Sequence, residues 1–567
     1  MKQIFIAAAF FTFAFSFAQT EGTDTKVDKD LMTWYHKDLA ASKVFGINTQ
    51  NAYKFLESKG LKPKTVVVAV LDSGVEVDHP GLKKNIWTNP NEVPNNGKDD
   101  DNNGYIDDVH GWNFIGGKNG DVDVDNIEVT RIVRKYKPLF EGEDSVSNKS
   151  NQGKLPKEFE MYMKAKEEFT KKSMEARQNY EIYKRIKDGI PEIIKLLDGK
   201  NLTAEAVASI KPTTQEQAIG QQLLLQISGD ENVKGKSPKE VQEYLTAQMK
   251  EALDYFEPQA TKQYNLDYDS RSIVGDKEND LGETKYGNNH YEGPDALHGT
   301  HVAGIIAGYP QGNEIQYGVA SKVAKIMTVR TVPNGDERDK DVANAIRYAV
   351  DNGARVINMS FGKAFSPDKE RVWSALQYAE DKGVLLVHAA GNDNEDIEVN
   401  ENYPTNFYKT SDEKPFVNNM ITVGASTNDP EMLRAGFSNY NKKMVDVFAP
   451  GDKIYSTVVD GKYKYEQGTS MASPVVAGAA AVLLAYMPNL TPEEIIDSLV
   501  KTSNKSTVNA MLPTNESNKF DMISRAGGVI DLKKAAEYAY ANYFNKNNTH
   551  TLSPKPIKKE LKRKAEK

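Results

Sequence analysis

The chain has 567 residues, 39% of them hydrophobic and 27% charged, with a net charge of −8 and no cysteine. That length allows one large domain with insertions or two to three domains, and the acidic balance disfavours a nucleic-acid partner. Without cysteine there are no disulfides, no cysteine nucleophile, no zinc-thiolate site and no lipidated cysteine.

Residues 1–18 read as a signal peptide: Lys2 precedes an apolar run, and Ser16-Phe17-Ala18 forms a small-x-small cleavage pattern. At about 15 residues the run is shorter than the roughly 20 a bilayer span needs, so no transmembrane anchor is expected in the mature chain. The expectation is a bacterial protein exported to the periplasm or beyond. Residues 19–45 are a polar N-terminal segment, and GINTQNAYKFLESKG (46–60) predicts a short helix.

From Thr65, TVVVAVLDSG is a continuous β-branched run that suits a strand buried on both faces. After it comes NGKDDDNNGYIDD, in which Asp99, Asp101, Asn103, Gly104, Tyr105 and Asp107 repeat the ligand spacing of a calcium loop. His110 stands at the twelfth position in place of a bidentate glutamate, so Asp108 or another acid would complete the shell. DVDVDN (Asp121 to Asn126) has no glycine turn and reads as a polar edge.

Residues 140–257 are charged and helical. Phe159, Tyr162, Phe169, Ala176, Tyr180 and Tyr183 keep three- and four-residue spacings, but Lys166 and Ser173 interrupt the stripe, which argues against a long coiled coil. Ser237-Pro238-Lys239-Glu240 announces a further helix through a capping box. Residues 140–257 therefore read as a helical insertion between two parts of one domain, 46–139 and 258–545.

Apolar runs recur at 324–332, 354–362, 384–392 and 420–427, with helical patterns ending in glycine between several of them. Strand and helix in alternation predict an α/β fold on a mainly parallel sheet, with chemistry at the carboxyl ends of the strands. Residues 546–567 are basic and read as a disordered tail.

Three stretches put a reactive side chain where a strand ends or a helix begins: VAVLDSGVEVDHPGL with Asp72, HGTHVAG with His298, and GTSMASPVVAGAAAVLL with Ser470. A serine hydroxyl needs an imidazole to take its proton and a carboxylate to hold the imidazole's tautomer. The order Asp, His, Ser differs from the chymotrypsin and α/β-hydrolase orders, and Gly468-Thr469-Ser470-Met471-Ala472 is not a Gly-x-Ser-x-Gly elbow. A metal pair at His298 and His301 lacks further ligands, since no His-Glu-x-x-His occurs, and His301 reads as a structural histidine.

These motifs resemble those of subtilisin-like serine peptidases, over about Gly46 to Ile115 and Asp267 to Tyr538. The resemblance implies a three-layer α/β fold with a twisted, mainly parallel sheet. It implies Asp72 as orienting carboxylate, His298 as general base then acid, Ser470 as nucleophile and Asn392 as oxyanion-hole donor. Ser360, Phe361 and Gly362 match the substrate-pairing strand, and Asp393 and Asn402 match the pocket before the scissile bond. An exported endopeptidase acting on proteins or peptides follows, without organic cofactor; the ligand spacing of the acidic loop separately points to calcium, against a merely solvated acidic loop. The other reading is a silent fold used as a binding module.

Two departures stand out. Gly81 occupies a position where many subtilisins carry a calcium-binding aspartate, and the spacing from Asp72 to His298 far exceeds the family's few dozen residues. The stretch from Gln19 to Lys64 is also shorter than the usual inhibitory prosegment, so the insertion is expected to restrict substrate access or take over some prosegment function.

Overall fold

The computed structural model describes residues 29–544 apart from Leu281, Asn313 and 514–517. The signal peptide, residues 19–28 and the basic tail lie outside the described residues. The chain forms two compact units, Val124–Ser270 on the one hand and 29–123 with 271–544 on the other.

The larger unit is built on a nine-stranded sheet. Its strands are β1 (Val66–Asp72), β2 (Gly111–Asn113), β3 (Ala324–Arg330), β4 (Val356–Met359), β5 (Leu385–Ala389), β6 (Met420–Ser426), β7 (Val447–Pro450), β8 (Asn504–Lys505) and β9 (Gly528–Val529). They lie in the order β8-β9-β7-β6-β5-β4-β1-β3-β2. Only β8 with β9 is antiparallel. The expected α/β fold on a mainly parallel sheet is therefore what the chain adopts.

The alternation of a strand explains why an unbroken apolar run was needed at β1. Val66, Val68 and Val70 enter one core with Val302, Ala303 and Val475, while Ala69 and Leu71 enter a second core with Met327, Ile346 and Leu376. Helices cover both faces: α1 (Thr49–Ser58) and α2 (Leu297–Ala307) contribute to the first core, α3 (Asp339–Asp351) and α4 (Lys369–Asp381) to the second. A fifth helix, α5 (Thr469–Tyr486), is long and apolar enough to cross a bilayer, yet 94% of it is buried inside the protein. It is the core helix on the first face, packed on β4, β5 and β6.

Within the smaller unit, helix Glu128–Phe140 packs on a continuous 40-residue helix, Pro156–Lys195, which in turn packs along Pro238–Pro258. The helical region thus reaches beyond 140–257 on both sides. The interrupted stripe did not prevent a long helix. Tyr162, Ala165, Ala176 and Tyr183 are buried, and Lys166 reaches out to an ion pair with Glu141. The capping box forms, with Ser237 Oγ accepting from the Glu240 amide and Glu240 Oε2 accepting from the Ser237 amide at 2.9 Å.

One expectation is overturned: Asp121 to Asn126 is not a polar edge. Asp125 and Asn126 are buried, Asp125 Oδ1 accepts from Ser270 Oγ at 2.6 Å, and the Asn126 amide donates to the carbonyls of Lys262 and Asn265. Asp121 Oδ1 accepts from the amides of Asn113 and Asn288, each at 2.8 Å. All of these partners except Asn113 lie far along the chain, so the local pattern carried no trace of them.

Candidate active site

Because β1, β3, β4 and β5 run parallel, their carboxyl ends converge at one edge, where Asp72 pairs with Arg330, Leu71 with Met359 and Met359 with His388. The residues that follow those ends line one cleft of about 560 Å³. Asp72, His298, Ser470, Asn392 and Ser360–Gly362 all face it, together with Asp393 and Asn402.

Asp72 closes β1 and is 2% exposed. Its Oδ1 lies 2.7 Å from His298 Nδ1 and accepts the Ser73 amide at 2.8 Å. Its Oδ2 is buried without a hydrogen-bond partner. Burial pulls the His298 imidazole down, and the Asp72 carboxylate, by charge and hydrogen bond, overrides that and holds it above the ordinary histidine range.

His298 sits in the first turn of α2, which approaches the end of β1 closely. A Cβ at Gly299 would stand 2.1 Å from the Gly74 carbonyl oxygen and 3.1 Å from Asp72 Cβ, so glycine is what lets the helix deliver the imidazole to the carboxylate. His301, on the next face, is fully buried. Its Nε2 donates to the Lys464 carbonyl at 3.1 Å, and burial pushes its pKa down to about 3, so it stays neutral.

Ser470 opens α5. Its Oγ donates to the Ser360 carbonyl at 3.1 Å, and Ser360 Oγ returns a bond to the Ser470 carbonyl at 2.9 Å. The hydroxyl therefore rests on a backbone oxygen here, within the same cleft as the imidazole. Free enzymes commonly hold such groups in longer or misaligned geometry than the reacting complex.

Asn392 Oδ1 accepts from the Thr469 amide at 2.8 Å and the Thr469 hydroxyl at 3.0 Å. Those bonds fix which way the carboxamide faces and leave its Nδ2 for the cleft. Asn402 Nδ2 is committed to the Ala389 and Ala390 carbonyls, at 3.2 and 3.0 Å, so it ties the wall of the cleft together. Asp393 is exposed and accepts from Asn439 Nδ2 at 3.3 Å. Ser360 and Phe361 are buried, the Phe361 carbonyl accepting from His388 Nε2 at 3.0 Å.

Two contributors were missed in the sequence. Asn358 bridges Ser360 Oγ at 2.9 Å and Ser473 Oγ at 2.8 Å, pinning the start of α5 to the end of β4. Arg330 is buried at the end of β3 and donates to the Ser73 carbonyl at 2.7 Å, beside Asp72, and to Asn113 Oδ1 at 3.2 Å. A polar side chain inside an otherwise apolar strand was the available signal for both.

The acidic loop brings together only part of its predicted set. Carboxylate oxygens of Glu92, Asp99 and Asp101 lie within 4.8 Å of one another, and Glu92 Oε2 is buried without a hydrogen-bond partner. Glu92 precedes the motif and was not anticipated. Asn103 donates to Asp101 and Asp108, and the Tyr105 amide donates to Asn103 Oδ1 at 2.8 Å. Asp107 does not join the cluster: both its oxygens accept backbone amides, from Asn96 at 3.1 Å and Gly97 at 2.9 Å. Asp108 is held by Asn89, Asn103 and Tyr348, and burial raises it to about 6. His110 turns away to the Trp87 carbonyl at 2.7 Å. At Gly81 a Cβ would lie 2.5 Å from the Tyr463 hydroxyl, so a larger side chain there would require Tyr463 to shift.

In this α/β fold a buried carboxylate bonded to an imidazole shares one cleft with a helix-borne serine at the carboxyl edge of a parallel sheet. The model of the subtilase family matches residues 63–521, and the chain belongs to that family. It is similar to the cell wall-associated protease of Bacillus subtilis (strain 168), 36% identical over 41% of this chain and 24% of that protein. It is also similar to the thermophilic serine proteinase of Bacillus sp. (strain AK1), 40% identical over 37% of this chain and 47% of the relative. Thermitase of Thermoactinomyces vulgaris is 40% identical over 33% of this chain and 60% of its own length. The matched stretches thus span between a quarter and three fifths of these relatives. A solved cold-adapted subtilisin-like serine proteinase is 34% identical over 40% of this chain and 74% of its own, with a TM-score of 0.32.

Proposed function

We propose that the protein is an exported serine endopeptidase that hydrolyses peptide bonds of proteins through an acyl-enzyme. The 2.7 Å contact between Asp72 and His298, in one cleft with Ser470, carries this reading. An extended substrate lies along Ser360–Gly362, adding a strand to the edge. His298 Nε2 takes the proton of Ser470 Oγ as the oxygen attacks the scissile carbonyl, and Asp72 stabilises the imidazolium that forms. The imidazolium then gives that proton to the leaving amine. Water, deprotonated by the same imidazole, hydrolyses the ester and restores Ser470.

The developing oxyanion is met by Asn392 Nδ2 and by the Ser470 amide at the positive end of α5. Relatives whose names read "extracellular basic protease" and "cell wall-associated protease" support export, as does the leader-like start of the chain.

The test is a fluorophosphonate, which phosphonylates activated serines, applied to the full chain. The reading expects label on the Ser470 peptide by mass spectrometry and a parallel loss of hydrolysis of a denatured protein. Absence of both hydrolysis and label overturns it.

We also propose that Glu92, Asp99 and Asp101 hold calcium, a hard cation that takes carboxylate oxygens. The clustering of three acids with a buried, unbonded Glu92 oxygen fits such an ion. Its contribution would be to hold the loop after β1 rather than to enter the reaction. Saturating calcium at 100-fold its Kd adds about 2.7 kcal/mol, a rise in Tm of about 3 °C for a unit of this size. Chelation should reverse the rise, and Glu92→Gln with Asp101→Asn should abolish the response. An identical Tm in calcium and in chelator sinks the site.

A further inference from the structure

The charge on the walls of the cleft bears on what peptide enters it. Among the lining residues the acids are Asp72, Asp123, Asp295, Glu337 and Asp393, and the bases are His298 and Arg330. Asp72 is spent on His298, and burial pushes the Glu337 carboxyl up to about 8, which leaves it largely neutral at pH 7. Three exposed carboxylates remain: Asp123, Asp295 and Asp393. Among the described residues none of the three forms an ion pair with a lysine or arginine within 4.0 Å.

Arg330 does not balance them. Its guanidinium is 1% exposed and donates to the carbonyls of Ser73 and Val122 and to Asn113 Oδ1. Asp123 and Asp295 feel its charge, but no donor hydrogen of it reaches either. The surface presented to a ligand is therefore net negative.

The three acids also stand on different walls. Asp295 lies just ahead of α2, with Oδ1 accepting the Leu297 amide at 3.1 Å. The Asp123 carbonyl accepts the Asn334 amide at 2.8 Å, which puts it on the Pro333–Gly335 wall. Asp393 follows Asn392 after β5, which β4 and β1 separate from β3 and its Pro333–Gly335 extension. An extended peptide points successive side chains to opposite sides, so different substrate residues would meet acids on different walls.

We propose that this cleft selects cationic peptides, with lysine or arginine at more than one position around the scissile bond. The inference rests on the peptidase reading above for its reaction, but not for its charge preference. Low-dielectric cleft walls focus such a field, and it is screened beyond about 10 Å at 0.1 M salt.

The experiment uses matched peptides that differ only in lysine, glutamine or glutamate at the flanking positions. At low ionic strength, kcat/KM for the lysine peptide should exceed that for the glutamine peptide by about tenfold, equivalent to about 1.4 kcal/mol. The gap should shrink at high salt, and Asp393→Asn or Asp295→Asn should each lower the lysine-to-glutamine ratio by about threefold. The same peptides are then titrated by fluorescence anisotropy into Ser470→Ala protein, where lysine should bind more tightly than glutamate. Equal kcat/KM and equal Kd across the three peptides overturn the proposal. If no peptide is hydrolysed but the lysine peptide still binds best, the peptidase reading fails and the charge selection stands.

Discussion

Ser470→Ala is expected to fold as the parent does and to lose about 10⁶-fold in kcat on a peptide substrate, the scale found for removing the serine or the histidine of subtilisin. The hydroxyl gives up one neutral bond, 3.1 Å long, to the Ser360 carbonyl. That is a cost of about 0.5–1.5 kcal/mol. The Ser470 carbonyl keeps its bond from Ser360 Oγ, and Asn358 still pins Ser473, so the start of α5 keeps its place. Chemistry is lost because no other nucleophile occupies that point of the cleft. A residual rate above water persists from Asn392 and from binding. The check is kcat measured beside the Tm of both proteins, and a variant within tenfold of the parent refutes the role of Ser470.

Asp72→Asn is the second large effect, about 10⁴-fold in kcat, because an amide in place of the carboxylate favours the wrong imidazole tautomer. Its pH dependence has a distinct sign. His298 must be neutral to accept the serine proton, so activity rises with pH through its folded pKa. In the parent, burial alone would lower that pKa, and Asp72 lifts it above the ordinary 6.5. Without the charge, burial is left uncompensated and the acid limb of kcat/KM should move below the parent's. The same raised pKa is a stability contribution, fully present below the unfolded pKa and lost as pH rises through the folded one. The variant should lack that contribution. A variant whose acid limb stays with the parent's contradicts the pairing.

Much of the site was legible because each reactive residue sits inside its own short motif. Asp72 ends an apolar run, His298 opens a helix rich in small residues, and Ser470 opens another. The strands at 66–72, 324–330 and 420–426 fall within the apolar runs that begin at Thr65 and span 324–332 and 420–427. Asn358 and Arg330 were harder, since nothing nearby in sequence names Ser473 or Ser73 as their partners. The acidic loop shows the same limit. A ligand spacing can be read along the chain, but Asp107 turns its oxygens to Asn96 and Gly97 while Glu92 enters from outside the motif.

The order of reactive groups, the alternation of strand and helix, and family membership are thus properties of the linear chain, because they rest on side-chain type and on periods of two and 3.6 residues. Which oxygens meet, where Asn392 faces, how Gly299 admits α2 to β1, and the negative walls of the cleft were decided only by the tertiary structure. Those features depend on contacts between residues distant in sequence, such as Asp72 with His298, 226 positions apart. Distance and burial, which set hydrogen bonds and pKa values, exist only once the sheet has brought them together.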